Sequence, residues 1–178
     1  MRRARARTRR GQSMSITEFT ADEIFEMAEQ IERNGGAFYR KAAEGFDHAP
    51  VKAMLQELAA MEDGHERVFA DLRRKLTQKD RQAPVFDPDD QAVRYLRAMA
   101  SGYVFDVKVQ PADNLSGNES LEEILRVAIG LERDSIAFYV GLREVTPEQF
   151  GRDKIEWIIR EEIQHVNLLS GKLAELAG

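Results

Sequence analysis

Two short strings in this sequence pair a carboxylate with an imidazole at helical spacing: Glu62-Asp63-Gly64-His65 and Glu162-Ile163-Gln164-His165. They use two of the three histidines in the chain. Residues three apart on a helix share one side, so each string can offer an oxygen and a nitrogen to one ligand. A helical stretch before each string carries one more glutamate among apolar residues, Glu32 and Glu132. Four carboxylates and two imidazoles meeting inside a helical bundle would make a two-metal site. Oxygen-rich ligation completed by imidazole suits iron or manganese; zinc could bind but would bring no redox chemistry.

Four helices must position these groups. The first opens at a capping box, Thr20 to Glu23, and its stripe runs Ile24, Ala28, Ile31, Gly35, Phe38 and Ala42. Glu32 lies within that stripe, with Phe25 and Tyr39 a heptad away on either side. The second starts near Pro50 and presents Leu55, Leu58, Glu62, His65, Phe69 and Leu72. Its end, Arg73-Arg74-Lys75, suits a helix C-terminus and reads as a solvated face. A third opens at a box from Ser120 to Glu123 and presents Ile124, Ala128, Leu131, Ser135 and Phe138, with Glu132 between Leu125 and Tyr139. The fourth is expected to open at a further box, Thr146-Pro147-Glu148-Gln149, and to present Ile155, Ile158, Glu162, His165, Leu168 and Leu169. Short loops make each pair an antiparallel hairpin. Residues 77–119 form a long connection, with a short helix expected from Asp87-Pro88 through Val93, Leu96, Met99 and Ala100, and an irregular or extended stretch at Tyr103–Val109.

The halves repeat each other. EIFEMAEQIERNGGAFYRKAAE from Glu23 aligns with EILRVAIGLERDSIAFYVGLRE from Glu123, and the same offset relates Glu32 to Glu132, Glu62 to Glu162, His65 to His165 and Tyr39 to Tyr139. A pseudo-two-fold axis follows. Each glutamate falls near the middle of its helix, and midpoints of antiparallel hairpins share a level, so all four can converge. Uncompensated burial of four carboxylates is costly; two divalent ions would balance their charge. Tyr39 and Tyr139, two turns beyond Glu32 and Glu132, are placed either to hydrogen-bond a ligand carboxylate or to fill the core. Glu161 lacks a histidine three residues on and is left outside the ligand set. His48 is expected in solvent at a hairpin loop, and Trp157 in packing.

Composition narrows the rest. Cysteine is absent, which excludes disulfides, thiolate zinc and iron–sulfur clusters within this chain. No apolar run approaches bilayer length, and no signal peptide is visible, so a cytoplasmic location is the expectation. The net charge is −5, but the first ten residues hold six arginines and no acid, leaving the remainder at −11. Such a body repels nucleic acid. Residues 1–19 are expected to be a flexible basic tail and 20–178 the bundle domain. The tail reads as an extension or as residues upstream of a start at Met14; an anchor for RNA, anionic lipid or a partner shell is the alternative.

Glu32 with GGAFY, Glu62-x-x-His65, Glu132 with SIAFY and Glu162-x-x-His165 resemble the rubrerythrin branch of the ferritin-like superfamily, over about residues 20–76 and 120–172. The resemblance implies an all-α, ferritin-like four-helix bundle: two duplicated antiparallel hairpins joined by a long crossover between the second and third long helices. It implies two iron ions, with manganese or a mixed pair as alternatives, held by Glu32, Glu62, His65, Glu132, Glu162 and His165, and no catalytic group beyond these ligands. Two features depart from the family: there is no cysteine-ligated rubredoxin domain, and Ser135 stands where an extra glutamate is usual.

Three functions follow as expectations. The first is a redox protein reacting with peroxide or O2 and served by an external electron donor. The second is a ferroxidase, iron carrier or storage protein. The third is a bundle that metals merely stabilise. A homodimer is expected in each case, because duplicated hairpins exchange between chains at low cost.

Overall fold

Local signals set the helix starts. Thr20 Oγ1 accepts from the Glu23 backbone N–H, and the Glu23 carboxylate accepts from the Thr20 N–H at 2.9 Å, closing the expected box. Ser120 and Glu123 repeat it at the same offset. Each box satisfies N–H groups that the first turn leaves open. The computed structural model describes residues 20–82, 87, 89, 91–99 and 110–177. The expectations for the basic tail, for Pro88 and Ala100, and for Tyr103–Val109 lie outside them.

Four long helices dominate: α1 (Ala21–Glu44), α2 (Ala49–Lys75), α5 (Leu121–Val145) and α6 (Arg152–Ala177), with two short ones, α3 (Gln78–Gln82) and α4 (Gln91–Ala98), in the crossover. No strand occurs among the described residues. The all-α bundle of two hairpins is therefore as expected. The α1/α2 and α5/α6 pairs pack most closely. Most residues of the expected apolar stripes are buried, but Gly35, Leu131 and Ser135 are half-buried and Leu168 is 46% exposed, as is Trp157, assigned to packing. Leu168 misses the core because Leu169 takes the inward position one residue on. His48 is exposed at the start of α2, as expected.

The expected box at Thr146 does not open α6. Thr146 ends α5 instead: it is buried, and its hydroxyl donates to the Leu142 carbonyl at 2.7 Å, so it has no role left as an N-cap. A 3-10 turn at Glu148–Phe150 follows, then Gly151 at φ 94°, and α6 starts at Arg152. A Cβ on Gly151 would lie 2.3 Å from Leu72 Cδ2, so the turn needs both the left-handed backbone and the missing side chain.

The crossover holds to both halves. Asp87 accepts from the Val93 N–H at 2.8 Å near the start of α4. α4 lies on α5, where Gly141 lets the Tyr95 ring and Leu96 approach its backbone and Tyr95 donates to the Ala137 carbonyl at 2.9 Å. A 3-10 turn at Pro111–Asn114 packs on α1. At the open end of the first hairpin, Arg73 joins Asp22 at 2.9 Å and Glu26 at 3.1 Å, and Arg81 also reaches Asp22. The Arg73 hydrogen bond holds the Asp22 carboxyl below its ordinary range against the opposing effect of burial. Arg73 is thus a tether between helices rather than part of a solvated face.

Two predictions follow. Gly151→Ala should cost about 2–4 kcal/mol, combining backbone strain with a clash, whereas Gly117→Ala, at φ 85° with no atom within 4 Å, should cost only about 1–2 kcal/mol; urea unfolding compares them. Because the folded pKa of Asp22 is depressed, its contribution is complete above the ordinary value of 3.8 and is lost as pH falls through the lower folded value. Asp22→Asn should therefore cost about 1 kcal/mol at neutral pH, and its deficit relative to the unchanged chain should shrink below about pH 4.

Candidate metal centre

The bundle interior divides into two apolar clusters. One gathers Phe25, Ile31, Phe69, Leu72, Phe138 and Ile155; the other gathers Phe38, Leu55, Leu58, Leu125 and Leu169. Glu32, Glu62, Glu132 and Glu162 occur in the sequence between contributors to these clusters, one on each long helix, and all are at most 4% exposed. His65 and His165 are buried with them. The helical patterning that makes the core thus also carries these six groups into it.

The six groups converge in two overlapping sets. Glu32, Glu62, His65 and Glu162 bring one donor atom each within 4.8 Å of one another; so do Glu62, Glu132, Glu162 and His165. Glu62 and Glu162 belong to both sets. His65 Nδ1 lies 2.9 Å from Glu162 Oε1, 3.5 Å from Glu32 Oε2 and 3.7 Å from Glu62 Oε2. His165 Nδ1 repeats the pattern at 2.9 Å from Glu162 Oε2 and 3.5 Å from both Glu62 Oε1 and Glu132 Oε1.

These separations test whether a metal fits. Nitrogen and oxygen ligands about 2.0–2.2 Å from a first-row divalent ion stand about 3 Å apart. The 2.9 Å contacts are not aligned as hydrogen bonds: His65 Nδ1, His165 Nδ1 and both Glu162 oxygens are buried without a hydrogen-bond partner. Such orphaned atoms are costly unless something else meets them. Lone pairs of suitable type and spacing around two centres fit a pair of divalent cations.

Tyrosines tie the halves together. Tyr139 donates to Glu32 Oε1 at 2.5 Å, and Tyr39 donates to Glu132 Oε1. Of the two alternatives open for these residues, hydrogen bonding to a candidate ligand and core filling, both hold at once, since each ring is fully buried. Each tyrosine reaches the glutamate of the opposite half. Burial, then the nearby carboxylate charges, raises both phenols well above their usual pKa, so they remain donors.

Charge explains the remaining titration pattern. Burial raises the Glu32 and Glu132 carboxyls well above the usual range, and the charges of Glu62 and Glu162 add to it. Burial opposes ionisation of Glu62 and Glu162 too, but their contacts with neighbouring carboxyls and both imidazoles hold them low. Burial likewise disfavours the imidazolium forms, yet the surrounding carboxylates push His65 far up and His165 to about 12. With no cation bound, protons balance the cluster; divalent ions would displace them.

Other residues near the cluster carried weaker signals. The Trp157 ring meets His65 edge to face, 5.7 Å between centroids, and Met61 Sδ lies 3.2 Å from His165 Nε2. Neither contact was foreseen, although both residues break the repeat: their counterparts are Glu57 and Glu161. Glu161 accepts from Gln164 at 3.0 Å and is absent from both donor sets. Ser135 donates to the Leu131 carbonyl at 3.1 Å.

Comparison with known proteins agrees with this geometry. Comparison with curated proteins gives no match. A solved structure from Thermotoga maritima, provisionally described as a ferritin-like diiron-carboxylate protein, matches with a TM-score of 0.65 at 21% identity, over 90% of this chain and 99% of that one, which shows a shared ferritin-like fold. The rubrerythrin family model matches residues 23–173, and the chain belongs to the rubrerythrin family.

Proposed function

We propose that this chain is a di-iron carboxylate redox protein that reacts with peroxide or O2. The carrying observation is the set of buried, partnerless donor atoms, arranged twice around shared Glu62 and Glu162. In this reading Glu32, Glu62 and His65 hold one ion and Glu132, Glu162 and His165 the other. Glu62 and Glu162, which belong to both donor sets, would be the carboxylates shared between the two ions, where the sequence alone leaves the outer and central glutamates as alternatives. Two Fe(II) ions side by side supply the two electrons that peroxide reduction requires. Manganese or a mixed pair fits the same donors.

The protein's own contribution is positioning and exclusion of water. Tyr39 and Tyr139 hold the outer carboxylates through hydrogen bonds that do not depend on solvent. Apolar side chains on both sides lower the local dielectric and strengthen each charge interaction. The chain has no cysteine, so reducing equivalents come from an external donor. No described helix is long and apolar enough to cross a membrane. A cytoplasmic homodimer completes the proposal.

Anaerobic titration with Fe(II) should reach two ions per chain and raise the melting temperature; at a hundredfold excess over Kd a single site adds about 2.7 kcal/mol. His165→Ala should retain about one ion, while Glu162→Ala, which removes a shared ligand, should weaken both. Peroxide or O2 should then oxidise the loaded protein and a chemical reductant restore it. Accumulated ferric mineral would instead mark storage, and inertness a structural role. Retention of two tightly bound ions by a Glu162→Ala, His165→Ala double variant would refute the ligand assignment.

Tyr139→Phe removes one oxygen and leaves Glu32 without its donor. It should cost about 1.5–3 kcal/mol of stability in the loaded protein and weaken metal binding about tenfold, measured by calorimetry.

A further inference from the structure

We infer that the Met61 thioether is the acceptor that holds His165 with Nδ1 turned towards the carboxylates, and that this support serves one half of the metal pair only. The inference rests on the metal-pair reading above. An imidazole that ligates through one nitrogen carries its proton on the other, and the partner of that N–H sets the tautomer and the ring's orientation. In His165 the inward atom is Nδ1, 2.9 Å from Glu162 Oε2. The outward atom, Nε2, faces Met61 Sδ at 3.2 Å. A thioether has no proton to give, so Nε2 is the donor in this contact, and the ring proton that an arriving cation would displace is the one on Nδ1.

Met61 precedes Glu62 on α2, so the helix that supplies one shared carboxylate also steadies the histidine of the opposite half. The duplication does not repeat this arrangement. The counterpart of Met61 is Glu161, which accepts from Gln164 at 3.0 Å. Behind His65 stands Trp157, whose counterpart Glu57 is exposed. The two halves therefore share their inward donors and differ in what stands behind the imidazoles. Met61 acts through His165 and is a positioning residue.

Trp157 is the single tryptophan of the chain and touches His65, so its fluorescence reports the His65 half. Calorimetric titration with Co(II) reports both halves. The test compares the unchanged chain with Met61→Leu, which keeps similar volume without the acceptor, and Met61→Gln, which restores a carbonyl acceptor. Met61→Leu should weaken one of two binding steps about three- to tenfold and leave the midpoint of Trp157 quenching unmoved; Met61→Gln should recover the lost affinity. If the unchanged chain binds two ions and Met61→Leu titrates identically, the role of Met61 is overturned while the metal reading stands. If Met61→Leu weakens both steps and Met61→Gln fails to recover them, Met61 merely packs. Failure of the unchanged chain to take up two ions would overturn the metal reading and the Met61 role together.

Discussion

A cluster of four carboxyls and two imidazoles inside an apolar interior is the constraint on which this structure turns. Carboxylates cannot be buried as bare anions, so the fold must bring positive charge to them or let protons neutralise them. The observed pattern meets that demand with outer carboxyls favouring the protonated form, inner ones favouring ionisation and both imidazoles favouring charge. The arrangement is poised for cations because their arrival would release protons already forced on the cluster. The apolar clusters that make this burial costly also give the interior its cohesion.

Rigidity around the cluster comes from contacts that cross between halves. The tyrosine hydroxyls join α1 to α5 in both directions, and the Met61 sulfur joins α2 to α6. Away from the cluster, each hairpin has its own fastening: the Arg73 network at the end of the first, the Thr146 and Gly151 turn in the second. Connections between elements are therefore specific at both levels. A core held only by greasy contacts could slide by a turn; hydrogen bonds from Tyr39 and Tyr139 to single carboxylates set a register.

Most of the cluster was legible because it obeys the same spacing as the core. Glu62 and His65 stand where a helix would place apolar residues, and their counterparts recur at a constant offset. Two strong local signals, the boxes at Thr20 and Ser120, were also sufficient to start their helices. Thr146 misled because its hydroxyl has two possible uses, and tertiary burial decided for the preceding helix. The neighbours of Trp157 and Met61 were illegible for another reason: a helix pattern tells which side a residue occupies, not which side chain of a distant helix it meets. The direction of the tyrosine hydrogen bonds was hidden likewise. Spacing put Tyr39 on the face of Glu32, whereas the bond goes to Glu132.

That crossing has an evolutionary corollary. Neither hairpin contains a finished centre: each lends its tyrosine to the other's glutamate and depends on the other's carboxylate to complete its donor set. A half-length forebear could have built the same constellation only by self-association, with two copies embracing around a common axis. Joining two such copies in one chain would free them to diverge where symmetry binds them, and the mismatched pair of Met61 and Glu161 is a difference that only a joined pair can carry.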